Sequence, residues 1–133
     1  MKYILIIGRA NDGKSSTMRE VCRRLAPTQI WQFRHADRTF QIVDNTHDIV
    51  NGSYLTEVAA KIILVVAGAP TEQRISITAL LKICIELNIK IELALVSMRS
   101  FEKTEGYDTK NELRKVGECL LEERIWRIDA ENF

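Results

Sequence analysis

The chain has 133 residues, enough for one domain around a single core and not for two. With 46% hydrophobic residues, 28% charged residues, 6 Gly and 2 Pro, the composition excludes disordered and collagen-like chains. Lys and Arg total 19 against 18 Asp and Glu, and the resulting formal charge of +1 gives no strong nucleic-acid signal and no acidic tail.

Lys2-Tyr3-Ile4-Leu5-Ile6-Ile7, stopped by Gly8, has the pattern of a mid-sheet strand buried on both faces. From Lys14 onward Met18, Val21, Cys22 and Leu25 fall at i, i+3, i+4 and i+7, an amphipathic helix closed by Pro27. Residues 28–33 and Thr39–Val43 predict the next two strands, 44–52 a polar loop, and 54–60 a short helix. The apolar run 62–67 is a second buried strand, stopped by Gly68-Ala69-Pro70. Ile77, Leu80, Leu81, Cys84 and Leu87 predict one long helix between 71 and 88, with Thr71 as candidate N-cap and Glu72 in its first turn. A strand at 90–96 and a surface loop at 100–107 come next. Asp108 or Thr109 with Glu112 then marks a helix start ahead of Leu113, Val116, Leu120 and Leu121, and a last short strand is expected at 124–128.

Strands alternating with helices predict an α/β fold: one three-layer, Rossmann-like domain over 1–133, its sheet mostly parallel with helices on both faces. Ligands of such sheets bind at the carboxyl ends of the strands. The apolar runs fall far short of the roughly 20 residues that span a bilayer, so no membrane helix is expected. Met1-Lys2-Tyr3 does not read as a secretory leader, and a cytoplasmic protein is expected. Cys22, Cys84 and Cys119 sit in helix-like apolar patterns without CxxC or Cys/His spacing, which predicts reduced core thiols.

The chemistry concentrates in Gly8-Arg9-Ala10-Asn11-Asp12-Gly13-Lys14-Ser15, which matches GxxxxGK[ST] between a buried strand and an amphipathic helix. Its glycines let the backbone wrap phosphate oxygens, and amides at the helix start point at the anion. Lys14 is expected to reach the β- and γ-phosphates, and Ser15 to ligate Mg²⁺. Asn11 is a candidate polar contact near the γ-phosphate, Asp12 is expected to point to solvent, and Ser16 completes the nucleotide-binding run.

On these residues the chain resembles the P-loop NTPases, which implies a Mg²⁺-nucleoside triphosphate as ligand. The wording Gly8-Arg9-x-Asn11-x-Gly13-Lys14-Ser15-Ser16 is similar to the loop of Era-type GTPases. Asp44-Asn45-Thr46-His47 lacks the glycine of their DxxG switch, however, and no NKxD guanine-reading motif occurs. The middle of the chain, with Ile42-Val43-Asp44-Asn45-Thr46 and Ala94-Leu95-Val96-Ser97-Met98-Arg99, looks more like the ParA/MinD-type ATPases. Those implied relatives dimerise through a second loop lysine, where Arg9 stands here. ATP is therefore the expected nucleotide and GTP the alternative, with a protein partner or a second copy of the chain as macromolecular contact.

Asp44 follows an apolar strand taken to end at the same sheet edge as the loop. It is expected to hold magnesium with Ser15 and to take part in the reaction with Lys14; the competing reading is an Asx-turn cap. His47 and Asp48 are candidates to orient water, with His35 and Asp37 behind them. Arg99 and Lys103 are candidates to contact base or phosphate. Trp31, Phe33 and Trp126 read as core or edge-strand side chains rather than stacking platforms. The function expected is binding and slow hydrolysis of a nucleoside triphosphate in a switch. A small phosphotransferase or a non-catalytic nucleotide-binding module are the other classes left open.

Overall fold

The computed structural model describes residues 1–9, 13–102 and 106–125. The apolar runs of the sequence form the sheet interior. β1 (Lys2–Gly8) leads into α1 (Lys14–Leu25), and β2 (Gln29–Arg34) and β3 (Thr39–Val43) form a hairpin. A 3-10 turn at Thr46–Asp48 precedes a second hairpin, β4 (Ser53–Val58) and β5 (Lys61–Val66). Then come α2 (Pro70–Gln73), α3 (Ile77–Glu86), β6 (Ile91–Arg99), α4 (Thr109–Val116) and β7 (Glu118–Arg124). No helix among the described residues is long and apolar enough to cross a membrane.

The seven strands lie in the order β3-β2-β4-β5-β6-β1-β7. β5, β6, β1 and β7 run in one direction. β4 is antiparallel to β5, β2 to β4, and β3 to β2. Half of the sheet is thus antiparallel, which corrects the expected mostly parallel, Rossmann-like arrangement. The reason is local: connections β2–β3 and β4–β5 are tight turns, and a turn of two to four residues can join only antiparallel strands. β1 is also not at mid-sheet but next to the edge, between β6 and β7.

The segment expected as a helix at 54–60 is β4 and its turn. Tyr54, Thr56 and Val58 are β-branched or aromatic. Ala59 and Ala60 both take left-handed φ, 50° and 64°, the geometry of a two-residue hairpin turn. The single helix expected over 71–88 is two helices, broken where Arg74 adopts φ 58°. α3 then restarts on Ser76, whose Oγ accepts from the Ala79 N–H at 3.1 Å. α4 ends at Val116, so Leu120 and Leu121 belong to β7, which replaces the strand expected at 124–128. The part of that expectation beyond 125, with Trp126, lies outside the described residues. Cys119 consequently lies exposed on β7 rather than in the core.

Both faces of the sheet are packed. On one, Leu5, Ile7, Leu64 and Val96 meet Leu80, Leu81 and Cys84 of α3 and Leu113 of α4. On the other, Ile6, Val65 and Leu95 meet Met18 and Cys22 of α1 together with Ile49. Glu112 pins the helices of the first face: its carboxylate accepts from the Thr78 hydroxyl at 2.6 Å and N–H at 3.1 Å, and from the Asp108 N–H at 2.9 Å.

Candidate phosphate-binding site

The start of α1 is built from the end of β1. Gly8, in register with Arg99 of β6, carries a carbonyl that accepts from the Ser100 N–H at 3.1 Å. Gly13 caps α1 at φ 91°, a left-handed conformation that glycine adopts without strain, and no side chain caps the helix. Its carbonyl takes the Thr17 N–H at 3.0 Å and the Thr17 hydroxyl at 2.9 Å. The amides of Lys14, Ser15 and Ser16 have no partner within the helix, as the geometry of any helix start requires. The first turn contains no acidic residue.

Lys14 is buried, only 6% of it exposed. The side chain folds back over the loop, and Nζ donates to the carbonyls of Gly8 at 3.1 Å and Arg9 at 2.9 Å. An ammonium that gives up water needs such acceptors. The result is a fixed cation beside the first turn of α1. Among the hydroxyls there, Thr17 is engaged with Gly13, and Ser16 accepts from the Arg19 guanidinium at 3.1 Å. The hydroxyl of Ser15 has no hydrogen-bond partner among the described residues. Ala10, Asn11 and Asp12 lie outside the described residues, as does Lys103.

Asp44 is not part of this constellation. β3 runs opposite to β1, so Asp44 leaves the sheet at the end away from Gly8. Five strand spacings also separate the two strands, about 24 Å across the sheet. The expected pairing of Asp44 with Ser15 at one magnesium ion is therefore corrected. The error lay in assigning β3 the direction of β1. The Asx-turn weighed for Asp44 is made by its neighbour: Asn45 Oδ1 accepts from the His47 N–H at 3.0 Å. His47 and Asp48 are exposed in the crossover that follows, which Ile49 anchors in the core.

Asp37 also has a turn role. It accepts from the Thr39 hydroxyl at 2.6 Å and N–H at 3.2 Å, and the hydroxyl above all holds its carboxyl below the usual range. His35 lies half-buried in the same turn. Phe33 is buried and stacks on Phe40 with ring centres 5.1 Å apart. Arg99 stands at the same sheet end as Gly8 and pairs with Glu72 at 3.1 Å.

Two residues that reasoning from the sequence passed over brace the site. Arg19 joins α1 to the crossover through the Ile49 carbonyl at 3.2 Å, and buried Ser97 Oγ lies 2.9 Å from the carbonyls of Val66 and Ala67. A serine inside the run of β6 was the available signal for the second; nothing in the pattern singled out Arg19. No family model matches the chain, and neither a curated protein nor a solved structure matches it.

Proposed function

We propose that residues 8–16 bind the phosphates of a nucleoside triphosphate, ATP before GTP, with Mg²⁺, and that the bound nucleotide is hydrolysed slowly as the timer of a switch. The observation that carries this reading is the position of Lys14, an ammonium held on two loop carbonyls beside the uncapped start of α1. Anions are favoured there because the amides and the helix dipole act in the same direction. Lys14 would move from carbonyl oxygens to phosphate oxygens, exchanging neutral acceptors for charged ones.

The residues present fit a magnesium ion bound through the Ser15 hydroxyl, since Mg²⁺ commonly takes few protein ligands and fills its shell with phosphate and water. Such an ion supplies charge neutralisation at the phosphate oxygens. Asp44 has no part in this reading. It includes a cytoplasmic location and a protein partner or second copy that senses the bound state.

Calorimetry with ATP and GTP, with and without Mg²⁺, tests it. Saturable binding that Lys14→Ala abolishes and that Ser15→Ala weakens in Mg²⁺ alone is the expected result. Equal affinity in a folded Lys14→Ala protein overturns it. Phosphate release into water, measured on the same samples, tests the turnover.

A further inference from the structure

α3 covers β5, β6 and β1, but the same face of the sheet continues past it. Cross-strand pairs put Trp31 opposite both Leu55 and Ile42, and Phe33 opposite Phe40. These side chains share the α3 face of β2, β3 and β4, because directly paired residues point to the same side. Phe40 is 43% exposed and Ile42 63%. Between this apolar surface and the turn after α3 lies a cavity of about 550 Å³, walled by Trp31, Phe40, Leu55, Ile62 and Ile89.

The polar groups at this cavity are few, Asn88 and three charged side chains whose net sign is positive. Lys61 and Lys90 stand at it with Glu92, and Glu92 lies 3.5 Å from the Lys90 ammonium. Lys61 is exposed and makes no ion pair among the described residues. The volume falls within the range of small-molecule sites, which are mostly apolar with a few orienting polar groups. We infer that this cavity binds an amphiphilic anion, an aliphatic or aromatic acid whose apolar body lies on Trp31 and Phe40 and whose acid group meets Lys61. The site is on the opposite face from α1 and near the starts of β5 and β6, the sheet end away from Gly8, so it stands independently of the nucleotide reading.

Titration with 1-anilinonaphthalene-8-sulfonate, followed by displacement with dodecanoate, tests the inference. One saturable site with a Kd on the order of 10–100 μM is expected from the size of such ligands. Phe40→Ser and Lys61→Glu change exposed positions, and each is expected to weaken binding at least about fivefold while thermal melting stays cooperative. Dodecanoate is expected to displace the probe and to shift the Trp31 indole and Ile89 amide resonances, with neutral dodecanol much weaker. Absence of saturable binding, affinity unchanged in both variants, equal displacement by dodecanol, or self-association through Phe40 without probe binding would each overturn it.

Discussion

In the function proposed, Lys14 has two duties that pull in different directions. It holds the carbonyls of Gly8 and Arg9 in the ligand-free protein and would hold phosphate in the bound one. Lys14→Ala is thus expected to lose about 1–2 kcal/mol of stability, read from the urea midpoint, besides losing nucleotide. Ordinary domain stability is large enough to leave that variant folded. Asp44→Asn gives the contrast: at the far end of the sheet, it should leave nucleotide affinity and phosphate release in Mg²⁺ at parental values. A loss of tenfold or more in either would bring Asp44 back to the site.

The cysteines make a separate residue-scale test. Burial pushes the thiols of Cys22 and Cys84 from 9.0 up to about 11. An acid whose pKa is raised by folding keeps its proton longer in the native state. Its stabilisation is therefore complete below about pH 9 and is lost as pH climbs toward 11. The urea midpoint should fall across that window, less steeply in a Cys22→Ala, Cys84→Ala protein. At neutral pH a thiol reagent should modify exposed Cys119 quickly and the other two only as the protein opens.

At the scale of elements, what the sequence made legible was whatever burial had written into it. β1 and β5 are continuous apolar runs because both of their faces are covered, and α1 reads clearly because Met18, Val21, Cys22 and Leu25 share one stripe. The missed features turn on backbone conformations that their residues do not advertise. Ala59-Ala60 forms a turn without the Asn or Gly that usually marks one, and Arg74 breaks a helix from a left-handed conformation. The position of Asp44 turns on a different reversal, the four-residue turn between β2 and β3, which sends β3 against β1 and carries Asp44 to the far end of the sheet. Left-handed alanine is strained. Ala59→Asn with Ala60→Gly should raise stability by about 0.5–1 kcal/mol in denaturant melts. Glu112→Ala should cost about 1–2 kcal/mol, because one carboxylate serves the starts of both α3 and α4.

Across the whole molecule, the antiparallel strands β2, β3 and β4 extend a block of four parallel strands, and the candidate run 8–16 leaves the sheet from that block. Helices keep the chain direction from β1 to β2, from β5 to β6 and from β6 to β7, tight turns reverse it after β2 and β4, and the crossover with its 3-10 turn keeps it from β3 to β4. That division leaves the candidate phosphate site and the apolar cavity at opposite ends of one sheet, so a ligand at either can be mapped without touching the other. Amide ¹H–¹⁵N spectra during a titration with MgATP read nucleotide binding at residues 8–16 directly. Saturable shifts are expected, largest at Gly13, Lys14, Ser15 and Ser16, with Asp44 and Ile89 unmoved; shifts centred elsewhere, or none that saturate, overturn phosphate binding at residues 8–16.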